Sequence, residues 1–253
     1  MVVKELIEAR WKAIIGTVVA VVAASALAGT YNLIANALAT GNATKGIPPQ
    51  FQSQIQQLIG SYESYAWSQW FSKTGPEVLA ILAAVLGASL IAGEINRGTI
   101  FFLLSKPVSR DGVLLAKYLV SALILLGAIL ASGVVLLGVA VLMGHPQPVG
   151  GVLISAVLLW LGVLFVLGLS LLFSVLFKDV LRSLVGALLV TLVLSIPGLI
   201  PNSGVNGWNL TMYWANFAAY QGTEFPLKAL LICLVAAIIP VALAIPLFRK
   251  QAY

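Results

Sequence analysis

Two apolar stretches decide the fold: residues 118–143 read YLVSALILLGAILASGVVLLGVAVLM, and residues 152–177 read VLISAVLLWLGVLFVLGLSLLFSVLF. Neither stretch contains an acidic or basic side chain, and each exceeds the about 20 residues that a helix needs to cross a bilayer. Within lipid a segment must satisfy its own backbone hydrogen bonds, which an α-helix does. The pair therefore predicts two membrane-spanning helices joined by a tight turn around His145.

Four further apolar segments of spanning length surround this pair, at residues 13–38, 76–93, 183–200 and 226–248. The whole chain of 253 residues is 60% hydrophobic and only 9% charged, with a mean hydropathy of +1.05. A soluble domain carries about 25% charged residues, so this surface is suited to lipid rather than to water. The sequence predicts an all-α integral membrane protein with six transmembrane helices, forming a single transmembrane domain over residues 1–253.

The basic residues predict the orientation. If the N-terminus is inside, 11 of the 14 lysines and arginines fall on the cytoplasmic side. Cytoplasmic loops carry such an excess, so both termini are expected in the cytoplasm, with the protein in the plasma membrane. The net charge of +6 does not indicate nucleic-acid binding, because the bases are scattered between apolar runs without interleaved aromatic residues.

The segments between the spans have different characters. Residues 1–12 are expected to form a cytoplasmic interfacial segment, residues 39–75 and 201–225 two outer loops, and residues 94–117 a cytoplasmic loop. The first outer loop carries an apolar stripe at helical spacing, which predicts an amphipathic outer helix. This helix either lies on the outer membrane surface or forms part of an external gate, or it is packed over the tops of the spans. Its stripe consists of Phe51, Ile55, Leu58, Tyr62 and Tyr65.

Two asparagines in the outer loops, Asn42 and Asn209, begin Asn-x-Thr triplets and are candidate glycosylation sites. The chain has no phosphate-binding loop, one histidine and one cysteine, and its carboxylates fall at span ends. We therefore expect no enzyme activity, no metal and no cofactor in this chain itself.

The most informative loop is residues 93–119, GEINRGTIFFLLSKPVSRDGVLLAKYL. It places an apolar run with two aromatic residues on the cytoplasmic side, between basic residues. An exposed apolar patch rimmed by charge is typical of a protein contact. The alternative is an interfacial helix that dips into the inner leaflet.

The order Glu94-x-x-x-Gly98-Thr99, then residues 104–110 as LSKPVSR, then Lys117, resembles the signature of permease subunits of ABC type-2 exporters. The resemblance implies the type V exporter fold and a coupling helix between spans two and three that docks on a separate ATP-binding subunit. It also implies a second permease copy, and ATP with Mg²⁺ on the ATPase partner. The residues implied at the ATPase contact are Glu94, Arg97, Thr99, Phe101, Phe102, Lys106 and Arg110.

In such permeases, spans two and five line the pathway between the two subunits. The corresponding faces of this chain predict a substrate pathway bordered by Leu82, Leu86, Ser89, Leu184, Leu188, Thr191 and Ser195. The expected function is the membrane-spanning subunit of an ATP-driven exporter. The alternatives are an ion-coupled or passive transporter or channel, and a non-transporting membrane scaffold coupled to an ATPase.

The topology is testable by cysteine labelling in intact cells with a membrane-impermeant thiol reagent. In a Cys233→Ala background, single cysteines are placed at Ser53, Ser109, Gln147, Ser203 and Gln251. Labelling is expected at positions 53, 147 and 203 only, because the base-rich loops face the cytoplasm. Labelling of position 109 from outside would contradict this orientation.

Overall fold

The computed structural model describes residues 2–40, 48, 59–101, 109–196 and 210–251. Within these ranges the ordered elements are helices: four long, two of intermediate length and several short. The long ones are α1 (Val2–Ala39), α5 (Arg110–Leu142), α6 (Val149–Phe177) and α10 (Leu227–Lys250), and the intermediate ones are α3 (Gly75–Ser89) and α7 (Val180–Ser195). The short ones are α2 (Tyr62–Ala66), a π-helix (Trp67–Thr74) that continues into α3, α4 (Ala92–Asn96), α8 (Leu210–Trp214) and α9 (Phe217–Gln221).

Helix α6 forms the centre of the bundle. It packs against α3, α5, α7 and α10, whereas α1 packs mainly against α5 and exposes most of its apolar surface. Close approach depends on small residues: a Cβ added at Gly87 of α3 would lie 2.7 Å from the carbonyl oxygen of Leu167 in α6. No side chain fits at that distance, so glycine lets the two backbones meet. The apolar residues left outside on α1, α7 and α10 provide a surface suited to lipid.

Five helical stretches within the described residues are long and apolar enough to cross a membrane. They begin at Lys4, Tyr62, Arg110, Val149 and Leu227, and they overlap predicted spans one, two, three, four and six. Predicted span five, residues 183–200, coincides with α7, which has 16 residues. A helix of that length measures about 24 Å and falls short of the about 30 Å hydrocarbon core. The prediction of six spans therefore stays a prediction, and residues 197–200 lie outside the described part of the chain.

The second span differs from its prediction at both ends. At the start, Trp70 and Phe71 were expected in the outer loop but are fully buried, because the π-helix continues directly into α3 and turns both rings into the core. At the other end α3 stops at Ser89, and α4 follows after a break at Leu90 and Ile91. The helix of the second span therefore ends at Ser89, four residues before the predicted end at residue 93.

Ser174 of α6 accounts for this break. Its hydroxyl donates to the carbonyl of Ala88 at 2.8 Å and accepts from the amides of Ile91 and Ala92 at 3.2 and 2.8 Å. A side chain from a neighbouring helix thereby replaces backbone bonds that the break removes. The break is therefore stabilised by packing against α6, and neither of its two residues, Leu90 and Ile91, is a proline or a glycine.

The predicted interfacial segment, residues 1–12, is not separated from the first span by a break. Residues 2–39 form one unbroken helix, and an interfacial position of its first residues stays a prediction. Glu5 in this part of the helix is buried in the bundle, where it is bound to Lys117 of α5.

The two predicted outer loops contain packed helical structure. Tyr62 and Tyr65 are buried against Tyr31 of α1, which supports the packed alternative for this end of the outer helix. Phe51, Ile55 and Leu58 lie outside the described residues. The loop over residues 201–225 contains α8 and α9, with Trp214 and Tyr220 buried. Asn42 and Asn209 also lie outside the described residues.

The bundle has two chemically different ends. At one end, here called the charged end, the start of α1 meets α4 and the start of α5, while the start of α5 meets the end of α10. Ten of the 12 lysines and arginines in the described residues lie there. At the opposite end Tyr31, Tyr62 and His145 form an aromatic cluster, with Tyr62 and His145 stacked at 4.9 Å. Both ends of the described chain thus share the charged end with the predicted coupling loop.

Candidate functional site

A buried cation organises the charged end. Lys117 lies about two turns into α5 and is only 2% exposed. Its ammonium is 2.7 Å from the carboxylate of Glu5 in α1 and 2.9 Å from Glu94 Oε1 in α4. One lysine therefore joins three elements that are far apart in sequence. A buried ammonium needs such partners, because an unpaired charge in this position is strongly unfavourable.

Glu94 is the most enclosed member of this cluster, with no exposed surface. Besides Lys117, it accepts a hydrogen bond from the Thr99 hydroxyl and lies 3.6 Å from Arg97 Nη2. Burial acts to raise its pKa, but the hydrogen bonds from Thr99 and Lys117 and the charges of Lys117 and Lys4 outweigh burial. The pKa of Glu94 therefore lies below its ordinary value of 4.5. Its stabilising contribution is complete above pH 4.5 and is lost as the pH falls through the lower folded pKa.

A more exposed layer surrounds this core. Glu8 of α1 lies 3.2 Å from Lys4 Nζ and 3.3 Å from Arg97 Nη2. The Arg97 side chain is 53% exposed, so these outer pairs are screened by solvent and contribute little free energy. The outer pairs of Glu8 connect α1 to Arg97 at the end of α4, while the buried pairs of Lys117 hold α1, α4 and α5 together.

The carboxylates of Glu5, Glu8 and Glu94 approach one another within 4.8 Å and could in principle hold a metal ion. The Lys117 ammonium already binds two of the three, and Arg97 contacts the third. The negative charge is therefore met by side chains of the chain itself. The arrangement is an ion-pair cluster, and the expectation that this chain holds no metal stays a prediction.

The residues predicted at the ATPase contact lie in different surroundings. Arg97 is exposed, and Phe101 is 63% exposed. Ile100, directly before it, is buried against Val113. Glu94 is occupied inside the chain, which leaves it inaccessible to a partner. Phe102 and Lys106 lie outside the described residues, and the contact itself stays a prediction.

Arg110 has a definite partner within the chain. Its guanidinium donates to the carbonyls of Gln251 at 2.7 Å, Arg249 at 3.2 Å and Phe248 at 3.4 Å. Arginine thus satisfies the free carbonyls at the C-terminal end of α10. Asp111 and Arg249 form an ion pair between the same two elements. These contacts indicate a structural role in joining α5 to α10.

The predicted pathway residues are divided between core and half-exposed positions. Leu82 and Leu86 are buried, while Ser89 is half-buried and donates to the carbonyl of Leu86. The four residues on α7 are half-buried, and the hydroxyls of Thr191 and Ser195 donate to carbonyls one turn earlier in the same helix. Helices α3 and α7 do pack side by side. The four α7 residues are Leu184, Leu188, Thr191 and Ser195. Whether the faces of α3 and α7 border a substrate pathway stays a prediction.

Two residues with structural contacts at this end, Glu5 and Ser174, were not predicted from the sequence. A signal for Glu5 was present, since an acidic residue beside a long apolar run needs a cation when it is buried. Ser174 carried no signal, because a serine in an apolar helix usually bonds to its own backbone.

The helices and the charged end define a multi-pass helical membrane protein whose polar interactions are concentrated at one side. A family model described as an ABC-2 family transporter protein matches residues 3–221. The chain belongs to this family, which confirms the resemblance drawn from residues 94–117. No curated protein matches the sequence significantly.

The cluster predicts a large effect of Lys117→Met on stability. The substitution leaves Glu5 buried without a counter-charge and Glu94 with only the longer contact to exposed Arg97, which should lower the free energy of unfolding by about 3–5 kcal/mol. Thermal unfolding in detergent measures the effect, and Lys250→Met provides an exposed control that should unfold like the wild type. Neutralising the acids as well, in Glu5→Gln/Glu94→Gln/Lys117→Met, should restore most of the loss. An unchanged midpoint for Lys117→Met would contradict the buried ion pairs.

Proposed function

We propose that this chain is the membrane-spanning subunit of an ATP-driven exporter, working as a pair of permease copies with separate ATP-binding subunits. The charged end faces the cytoplasm, and the aromatic end faces outward. ATP and Mg²⁺ bind to the partner subunit, which performs the hydrolysis. This chain supplies six spans of the type V exporter fold and carries out no covalent chemistry.

One observation carries the proposal. In the loop with the family signature, one apolar side chain is exposed on the protein surface while the residue before it is packed in the protein. Phe101 is 63% exposed, whereas Ile100 is buried with Val113. A large exposed aromatic residue beside a firmly packed neighbour is suited to enter a groove of another protein. The partner proposed for it is the ATP-binding subunit.

The ion-pair cluster gives this contact a mechanical consequence. Thr99 lies two residues before Phe101 and donates a hydrogen bond to Glu94, and Glu94 is bound to Lys117 of α5 and, through it, to Glu5 of α1. A displacement of the loop therefore acts on α1 and α5 together. In this mechanism, closure of the ATP-binding subunits moves the loop and changes the balance between inward-open and outward-open arrangements of the bundle.

The charge distribution supports the orientation. Ten bases in the described residues lie at the charged end, and two, Lys73 and Lys228, lie at the aromatic end. This asymmetry matches the rule that cytoplasmic segments carry the excess of lysine and arginine. Exposed apolar residues on α1 and α7 are available to lipid and to the second copy, as expected for a membrane dimer.

The contact is tested by Phe101→Ala/Phe102→Ala in the complex with the proposed ATP-binding subunit. Truncating aromatic residues at the centre of an interface costs about 2 kcal/mol or more. Affinity for the ATP-binding subunit should therefore fall roughly thirtyfold. Co-purification and ATPase activity in nanodiscs are measured together.

Phe225→Ala is the matched control. Phe225 is 70% exposed and lies at the aromatic end, so its removal should leave subunit binding unchanged. If the residues around Phe101 only contact lipid, the double variant will also bind and stimulate the ATPase normally. That result would defeat the proposed contact.

A further inference from the structure

A cavity of about 360 Å³ opens beside the ion-pair cluster, between α1, α3, α5 and the start of α7. One wall is apolar and contains Leu86, Leu90, Val120 and Val180. The other wall is charged and contains residues of the cluster together with Lys12. The volume falls in the range of sites for small molecules, and the two walls are suited to a ligand with an apolar and a charged part.

The charges around the cavity do not balance. Three carboxylates, Glu5, Glu8 and Glu94, face four cations, so the local net charge is +1. Each carboxylate already has a basic partner. The four cations are Lys4, Lys12, Arg97 and Lys117.

Lys12 is the cation left over. It is half-buried on the cavity wall, and none of the carboxylates in the described residues lies within 4.0 Å of its ammonium. The carboxylates around the cavity are Glu5 and Glu8 on the same helix and Glu94 on α4, and all three are bound to Lys117, Lys4 or Arg97. A half-buried ammonium without a counter-ion favours an anionic ligand.

We propose that this cavity binds the anionic phosphate headgroup of a membrane phospholipid, with the phosphate on Lys12 and the first part of an acyl chain against Leu86, Leu90 and Val180. Phosphate esters of this kind also occur in soluble molecules. The apolar wall and the position of the cavity at the end of the spans favour a lipid, because a soluble phosphate would leave that wall in contact with water. The site does not depend on the proposed contact with an ATP-binding subunit.

The proposal is tested with the full-length protein, delipidated in a mild detergent and titrated with phosphatidylglycerol. Native mass spectrometry measures how many lipids each chain retains, and the thermal midpoint is recorded in parallel. The wild type should retain one phosphatidylglycerol per chain and become more stable. Phosphatidylcholine with the same acyl chains, whose headgroup is neutral overall, should bind at least fivefold more weakly, and inorganic phosphate alone should not stabilise the protein.

Variants identify the site. Lys12→Met should weaken phosphatidylglycerol binding at least fivefold, and Lys12→Arg should retain it. Arg10→Met is the matched control, since Arg10 is exposed on the same helix and its loss changes the net charge equally. Ala9→Phe, which fills the cavity from α1 without removing a charge, should also reduce binding.

Several results would overturn the proposal. Equal binding of the two lipids would mean that the charge is not recognised, and equal effects of Arg10→Met and Lys12→Met would indicate only diffuse attraction to anionic lipid. Stabilisation by inorganic phosphate as strong as that by phosphatidylglycerol would assign the cavity to a soluble anion. Normal binding by Ala9→Phe would place the lipid elsewhere on the protein.

Discussion

The pairing of Lys117 with Glu5 and Glu94 is the interaction on which the charged end of this protein depends. This lysine is 2% exposed, and the two carboxylates replace the water that its side chain has lost. Its two partners come from α1 and α4, so the cluster is complete only when these elements and α5 are in their observed positions. The desolvation penalty thus acts as a positional constraint: separating any one element exposes or isolates a charge. This is why the charged end behaves as one unit, although its parts are far apart in sequence.

Because Glu94 is bound to Lys117, the second span consists of two parts that contact different helices. Helix α3 is bound to α6, where the Ser170 and Ser174 hydroxyls donate to carbonyls of Ala84 and Ala88. Beyond the break, α4 is bound through Glu94 to α5 and α1. The two groups of helices therefore meet at Leu90 and Ile91, where backbone hydrogen bonding is interrupted and Ser174 supplies the replacement. In the proposed transport cycle, this junction is where a movement of the loop can change the angle between the two groups.

The sequence predicted much of the architecture and less of the site. Long apolar runs without charge, such as residues 118–143, can only be stable as helices in lipid, so the spans containing them were predictable from composition and length. The break after Ser89 was not predictable from the sequence, because it depends on the hydroxyl of Ser174 in another helix. The loop after Glu94 was recognisable from its order of residues, but Glu94 was predicted at the surface. Sequence order does not show whether a carboxylate faces a partner protein or, as here, a lysine 23 positions later in the same chain.

The central claim, that the loop at the charged end receives the force of ATP hydrolysis, is tested most directly by site-specific crosslinking in the assembled complex. Phe101→Cys in a Cys233→Ala background is treated with a short bifunctional reagent in nanodiscs, with Phe225→Cys as the comparison. The account predicts a crosslink from position 101 to the ATP-binding subunit whose yield differs between the nucleotide-free and ATP-bound states, and none from position 225. No crosslink from position 101 in either state, while the complex remains intact, would contradict it.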